Sequence, residues 1–159
     1  MAKVLVVYYS RSGHTESMAT AIAKAVAEAS LDVVCKRVED VHPDDLLQAD
    51  GLIIGSPTYY GTMAAEIKRF LDDSIEHHTK LDGKVGAAFA SAANSGQETT
   101  VFSILEALLI HGMIVQGDPK GDHYGVTSMG KPDGQVLERC ERFGKRFATL
   151  VKRVAGKPK

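Results

Sequence analysis

The chain has 159 residues, 44% of them hydrophobic, and its 19 Lys and Arg residues nearly balance its 20 Asp and Glu residues. This length suits one well-buried domain and is too short for two ordinary ones. The balanced charge provides neither the basic surface of a nucleic-acid-binding protein nor a strongly acidic surface. We therefore expect a single domain over residues 1–155, a frayed tail at 156–159 and no nucleic-acid partner.

The cysteines and the apolar runs predict an intracellular protein. Cys35 and Cys140 are far apart, form no C-x-x-C pair and lie inside apolar patterns, so buried reduced thiols are favoured over a disulfide. No apolar stretch is long enough to span a membrane, and "MAKVLVVYYS" lacks the apolar core and cleavage site of a signal peptide. We expect a cytoplasmic location and no membrane partner.

Short β-branched runs alternate with helical periodicity from the start of the chain. A strand at 3–9 precedes a helix at 14–29, and a second strand follows at 31–38. A short acidic connector then leads to "GLIIGS" at 51–56, which is apolar throughout. A run without polar alternation is typical of a strand covered on both faces, and this predicts parallel packing.

The second half continues the alternation. A turn at 57–62 is followed by a helix carrying Ile67, Phe70, Leu71 and Ile75 and by a strand at 84–91. A polar loop then leads to a helix carrying Val101, Leu105 and Leu108 and to a fifth strand at 112–117. The chain ends with a Gly-rich loop at 118–131 and a closing helix carrying Val136, Cys140, Phe143, Phe147 and Val151. Five β-α units in this length predict an α/β fold, a doubly wound three-layer sandwich. Its ligand site is expected beyond the carboxyl ends of the strands.

The loop between the first strand and the first helix is rich in hydroxyl groups. Ser10, Ser12 and Thr15 surround Gly13 where the positive end of the helix dipole is expected. Free amides and hydroxyls at a helix N-terminus suit a phosphate group, although Ser and Thr are also common as simple helix caps. With one glycine and no lysine, the loop matches neither a Walker motif nor a dinucleotide fingerprint.

Four segments occur in order at the ends of successive predicted strands: "VVYYSRSGHTESMA", "SPTYYGTMAAEIKRFLD", "FASAANSGQETT" and "LLIHGMIV". The first is similar to the flavodoxin signature, and the other three resemble segments of the FMN-dependent NAD(P)H:quinone reductases once named tryptophan-repressor-binding proteins. The resemblance covers nearly the whole chain. It implies a flavodoxin-like fold with a five-stranded parallel sheet in the order 2-1-3-4-5, and FMN held noncovalently.

The resemblance also implies the cofactor-binding residues. Ser10, Arg11, Ser12, Gly13, His14 and Thr15 match the phosphate loop; Pro57, Thr58, Tyr59, Tyr60 and Gly61 match the loop along the flavin ring; Ala92, Ala93, Asn94, Ser95 and Gly96 match the third flavin loop; and His111 matches a histidine near the flavin. We expect Tyr60 to be the stacking ring. The alternatives are an exposed turn for the tyrosines, a plain loop at 92–96 and a helix-terminal histidine at 111.

Two features depart from the reductase pattern. The long segment after the second strand, associated with the reductase tetramer, is short here, and Ser12 and Tyr59 replace a frequent aromatic residue and a common arginine. A homo-oligomer and the nicotinamide contacts therefore stay open. The electron-carrier flavodoxins are usually strongly acidic, whereas this chain has a net charge of −1.

The sequence favours an FMN enzyme that passes electrons from NAD(P)H to a quinone or a similar small acceptor. The flavin performs the redox chemistry, so no catalytic side chain and no metal are expected. The alternative is a one-electron carrier between protein redox partners. A phospho-receiver lacks support because Tyr9, Ser10 and Ser56 occupy the places of its acidic residues. A cofactor-free binding protein would be colourless as purified, whereas a flavin protein is yellow.

Overall fold

Seven strands form one sheet in the computed structural model, which describes residues 1–156. They are β1 (Lys3–Tyr8), β2 (Asp32–Arg37), β3 (Gly51–Tyr59), β4 (Thr62–Met63), β5 (Val85–Ala92), β6 (Ile114–Val115) and β7 (Thr127–Met129). The main order is β2-β1-β3-β5-β6, and every pairing is parallel except that of β4 with the end of β3. The expected order 2-1-3-4-5 is confirmed when the two-residue β4 is left out.

Two short strands share the fifth position of the sheet. β6 pairs with the first two residues of β5, and β7 pairs with Ala90–Ala92 at its other end. The predicted single strand at 112–117 is wrong in extent because the loop at 116–126 separates the two pieces. Within this loop Gly125 lies so close to the sheet that a Cβ atom there would be 2.1 Å from the carbonyl oxygen of Ala88.

The helices are α1 (His14–Glu28), α2 (Asp45–Gln48), α3 (Ala65–Asp73), α4 (Gln97–Ile110) and α5 (Gly134–Ala155), with 3-10 turns at Val38–Asp40 and Ser74–His77. Helices α1 and α5 cover one face of the sheet, while α2, α3 and α4 cover the other. No helix within residues 1–156 is long and apolar enough to cross a membrane. The frayed tail was expected at 156–159. Gly156 caps α5, and 157–159 lie outside the described residues.

Strand β1 illustrates why the sheet is buried on both faces. Val4 and Val6 enter the core beneath α1 and α5, whereas Leu5 and Val7 enter the core beneath α3 and α4. Successive side chains of a strand point to opposite faces, so an unbroken apolar run feeds both cores. The same rule explains the continuous run in β3, which contributes Ile53 to one core and Leu52 and Ile54 to the other.

Two predictions about single residues were wrong. Cys35 is exposed because it lies on the edge strand β2, although Cys140 is buried as expected and both thiols are free. Ile75 is 74% exposed because it follows the end of α3 and lies in a 3-10 turn. His77, at the end of the same turn, is buried.

Candidate functional site

Three loops meet beyond the carboxyl ends of β1, β3 and β5, which are neighbours in the sheet. We call them the first loop (9–13), the second loop (57–61) and the third loop (92–96). They surround an open cleft of about 380 Å³, lined by Arg11, Ser12, His14, Thr15, Pro57, Thr58, Tyr59, Ser91, Ala92, Ala93 and Gly130. The topology therefore brings together residues that lie far apart in the sequence, at the edge where ligands bind in open α/β sheets.

The first loop is shaped by a glycine and a buried serine. Gly13 adopts φ +92° where α1 begins, a conformation that other residues rarely adopt. Its amide donates to Oγ of Ser10, at 3.0 Å, and Ser10 is buried. In contrast, Ser12 is exposed, and its hydroxyl has no hydrogen-bond partner within residues 1–156. Ser10 therefore fixes the loop, while Ser12 and the first free amides of α1 are available to an anion.

A buried hydroxyl pair joins the first turn of α1 to β5. Oγ1 of Thr15 and Oγ of Ser91 are 2.9 Å apart, and both side chains are buried. Sequence reasoning missed Ser91, although it ends a predicted strand immediately before the third loop. The pair fixes the start of α1 against the floor of the cleft.

Arg37, at the end of β2, supports the first loop from behind. Its guanidinium donates to the carbonyl oxygen of Ser10 at 2.6 Å and lies 3.8 Å from the Glu16 carboxylate. The Tyr8 hydroxyl donates to the same carboxylate at 3.0 Å. Burial, together with this bond, raises the pKa of Tyr8 to about 12, so its phenol stays protonated at neutral pH. Nothing in the local sequence pattern around Arg37 indicated this role.

The two tyrosines of the second loop occupy different environments. Tyr59 lines the cleft, where the Arg11 guanidinium lies 4.8 Å from its ring centre and Tyr9 packs edge-on at 6.5 Å. Burial raises the pKa of Tyr59, an effect that Arg11 partly offsets. Tyr60, the expected stacking ring, is fully exposed at the tip of the turn and is not part of the cleft lining. The structure thus offers Tyr59 as the aromatic wall.

The second loop is a two-residue hairpin turn. Tyr60 and Gly61 have φ values of +49° and +78°, the combination typical of a type I′ turn between antiparallel strands. Here the turn connects β3 to β4. Ser56 holds the base of the hairpin, because its Oγ accepts from the amide of Ala64 at 2.8 Å and donates to the carbonyl of Pro57 at 2.7 Å.

One threonine links the second loop to the third. Oγ1 of Thr99 lies 2.6 Å from the carbonyl oxygen of Gly61 and 2.9 Å from that of Gly96, so its single proton is shared between the two loops. Gly96 adopts φ +86°, and a Cβ atom there would lie 3.1 Å from Cα of Gly61. The contact therefore requires a residue without a side chain at 96.

The third loop presents small groups to the cleft. Ala93, Asn94 and Ser95 are exposed, and the carbonyl of Ala92 accepts from the amide of Gly130 at 2.7 Å. Gly130 follows β7 and completes the lining. Sequence reasoning placed Gly130 in an undifferentiated loop, since only the split fifth strand brings it to the site.

The structure does not bring His111 to this cleft. Helix α4 starts at the third loop, and its 14 residues carry the chain about 21 Å away before His111 caps its end. Nε2 of His111 instead lies 2.7 Å from Oγ of Ser74. The expected flavin contact from His111 is thus not formed within this chain, because the length of α4 places it at the opposite edge of the sheet.

Comparison with known proteins identifies the fold family. The model of the flavodoxin family matches residues 6–123. The chain belongs to the flavodoxin family. An NAD(P)H dehydrogenase (quinone) from Azorhizobium caulinodans is 40% identical over 82% of this chain and 77% of its own length, and a flavodoxin from Aquifex aeolicus is 37% identical over 95% and 88%. The solved structure of a flavodoxin from the domain Archaea superposes with a TM-score of 0.81 at 34% identity, covering 94% of this chain and 99% of its own.

FMN is the cofactor of this flavodoxin-family protein, and the cleft fits it. The unpartnered Ser12 hydroxyl and the amino end of α1 suit the phosphate. The Tyr59 ring and the small third loop suit the flat ring system. Among the described residues that line the cleft, none carries a carboxylate and one carries a guanidinium.

Proposed function

We propose that this protein is an FMN-dependent oxidoreductase that transfers electrons from NAD(P)H to a quinone or a similar small acceptor. Bound FMN supplies the redox chemistry by accepting two electrons from the nicotinamide and passing them on. The chain's own residues hold the cofactor, position it and leave its outer side accessible. Relatives that are 32–40% identical carry the name NAD(P)H dehydrogenase (quinone), which supports this proposal.

The observation that carries the proposal is the charge of the cleft. Its lining contains the Arg11 guanidinium and no carboxylate within the described residues. NADH and NADPH are anionic, so a lining of this kind attracts the donor rather than repelling it. An acidic lining would destabilise negative charge on the reduced cofactor, and this lining does so less. The two one-electron reduction potentials of the cofactor should therefore lie closer together, which favours two-electron transfer.

Steady-state oxidation of NADH and NADPH in the presence of benzoquinone tests the proposal. We expect nicotinamide oxidation that depends on both quinone and FMN, with the FMN-stripped protein as the control. The proposal fails if the FMN-loaded protein oxidises neither nicotinamide with any quinone.

The second candidate is a one-electron carrier, and the exposed hairpin turn favours it. Tyr60 protrudes fully into solvent at the edge of the site, where a protein redox partner could contact it. The flavodoxin from Aquifex aeolicus supports this alternative by its name. Widely separated one-electron potentials in a reductive titration, together with rapid reduction by a flavodoxin reductase protein, would favour the carrier over the enzyme.

NADH and NADPH are held inside the cell, so we keep the cytoplasm as the proposed location. A homo-oligomer also stays a prediction.

A further inference from the structure

A groove on the α3/α4 face of the molecule lies outside the cleft assigned to FMN. It runs between these two helices, has a volume of about 390 Å³ and is largely apolar. We call it the α3/α4 groove; its lining comprises Met63, Lys68, Leu71, Asp72, Ile75, His78, Ser103, Glu106, Ala107, Ile110 and His111. Ile75 and Ile110 are 74% and 73% exposed at its rim. Pockets of this size and apolar character are typical of small-molecule sites.

The groove contains one buried polar atom without a partner. His111 is 8% exposed, and its Nδ1 has no hydrogen-bond partner within the described residues. A buried polar atom that is left unpaired destabilises a protein, so such atoms are rare in folded chains. Three charged residues line the groove, and all are exposed: Lys68 and Asp72 pair with each other at 2.6 Å, and Glu106 lies in contact with solvent. Nδ1 of His111 is the buried polar atom of the lining that lacks a partner within residues 1–156 and that a ligand could pair.

The hydrogen-bond network determines whether Nδ1 donates or accepts. Ser74 has one hydroxyl proton, and it donates that proton to the carbonyl of Leu71 at 2.6 Å. Oγ of Ser74 must then accept from Nε2 of His111, at 2.7 Å, so the ring carries its proton on Nε2. Burial, followed by the nearby His78 and His77, lowers the pKa of His111, which favours the neutral ring. Nδ1 is accordingly a bare acceptor.

We propose that the α3/α4 groove binds a small, largely apolar molecule that carries one hydrogen-bond donor, as a phenol does, and that the donor pairs with Nδ1 of His111. The apolar body of the ligand would lie against Leu71, Ala107 and Ile110. An anion finds no cation free of a partner there, because Lys68 is paired with Asp72, and a pure acceptor would leave Nδ1 unpaired. The groove shares no lining residue with the FMN cleft, and His111 lies at the far end of α4, about 21 Å from the third loop.

Binding of para-fluorophenol to the FMN-loaded protein, followed by fluorine NMR, tests the proposal. The matched probe is para-fluoroanisole, which has the same ring but no hydroxyl proton. We expect roughly millimolar binding of the phenol, about three- to tenfold tighter than that of the anisole, because one hydrogen bond to a buried acceptor separates them.

Two variants identify the contact. His111→Gln keeps a donor near the position of Nε2 for Ser74 but has no counterpart of Nδ1, so the preference for the phenol should disappear while the protein stays folded. His42→Gln, on the exposed connector, is the matched control and should keep the preference. Equal binding of the two probes by the unmodified protein would overturn the proposal.

The amide NMR spectrum locates the bound probe. Shift changes centred on Ile75, Ala107 and Ile110 support the proposal. Changes confined to the second and third loops would place the phenol beside the flavin and overturn it. A dimer that dissociates on Ala107→Phe substitution, with no phenol bound in either state, would show instead that a second copy of the chain covers the groove. None of these readouts depends on turnover, so their failure leaves the proposed oxidoreductase function untouched.

Discussion

At the scale of single residues, Ser12 is the hydroxyl of the first loop that is free to contact a ligand. Ser10 and Thr15 are buried and already paired within the protein, whereas Ser12 is exposed without a partner. We expect Ser12→Ala to weaken FMN binding by about 1.5–3 kcal/mol, since a hydrogen bond to a charged phosphate is lost. Fluorescence titration of the stripped protein with FMN measures this change.

Riboflavin, which lacks the phosphate, is the control ligand for this substitution. Its affinity should be weak and should not change in the Ser12→Ala variant. A similar loss for FMN and riboflavin would mean that Ser12 acts on the shape of the cleft and not on the phosphate.

The position of Tyr59 leads to a second prediction at the scale of single residues. Because its ring lines the cleft and Tyr60 does not, we expect Tyr59→Ala to weaken FMN binding by about 1 kcal/mol or more. Tyr60→Ala should have a smaller effect and is the matched control on the adjacent residue. FMN affinity and the visible flavin spectrum measure both. A larger loss of FMN affinity in Tyr60→Ala than in Tyr59→Ala would show that Tyr60 is the stacking ring, as expected from the sequence.

The neighbouring tyrosines also show what a sequence pattern can and cannot determine about a site. The motif "PTYYG" indicates that one ring lies near the flavin, but two adjacent tyrosines satisfy it equally. The choice depends on the hairpin, since the positive φ of Tyr60 at the turn directs its ring to solvent while Tyr59 remains in β3. That backbone conformation arises from the pairing of β3 with β4, which local sequence does not reveal.

At the scale of elements, Thr99 couples the second loop to the third. Its hydroxyl is shared between the carbonyls of Gly61 and Gly96. The second and third loops, which suit the flavin ring, therefore both depend on one side chain at the start of α4. We expect Thr99→Val to lower FMN affinity by about 1 kcal/mol, because the loops lose their common bond and the site is less well ordered before binding.

Thr20→Val is the matched control, since Thr20 is exposed on α1 and its hydroxyl bonds only to its own helix, at the carbonyl of Glu16. Isothermal titration with FMN compares the two variants. If they lose affinity to the same extent, Thr99 has no special role in joining the loops.

The elements themselves were largely predictable because their burial follows simple periodicity. Strands β1, β3 and β5 carry unbroken apolar runs because both faces of the sheet are covered, and α1 follows its helical spacing. The split fifth strand was not predictable. It depends on the approach of Gly125 to the carbonyl of Ala88, a contact between segments 37 residues apart in the sequence. The place of His111 likewise follows from the full length of α4 and not from its neighbours in the chain.

At the scale of the whole molecule, the buried His111 makes stability depend on pH. Burial, followed by His78 and His77, lowers the pKa of His111 below its ordinary value of 6.5. The unfolded chain therefore takes up this proton at a higher pH than the folded protein does. The stabilisation is fully present above pH 6.5 and is lost as the pH falls through the folded-state pKa.

Thermal unfolding at about pH 7.5 and at about pH 5 checks this sign. The melting temperature should be lower at the acidic pH, and His111→Gln should reduce the difference between the two values. His42→Gln, an exposed histidine, should leave it unchanged. An identical pH difference in the unmodified protein and in His111→Gln would assign the acid sensitivity to other groups.

The divided fifth strand also affects how the molecule behaves in a crowded solution. A long, regular edge strand offers a row of unpaired amides and carbonyls on which another chain can add a strand and begin to aggregate. Here this edge consists of the two-residue β6 and the three-residue β7, separated by the loop at 116–126. An incoming strand finds no continuous ladder to extend. The interruption that brings Gly130 to the cofactor cleft thus also protects this edge of the sheet from edge-to-edge association.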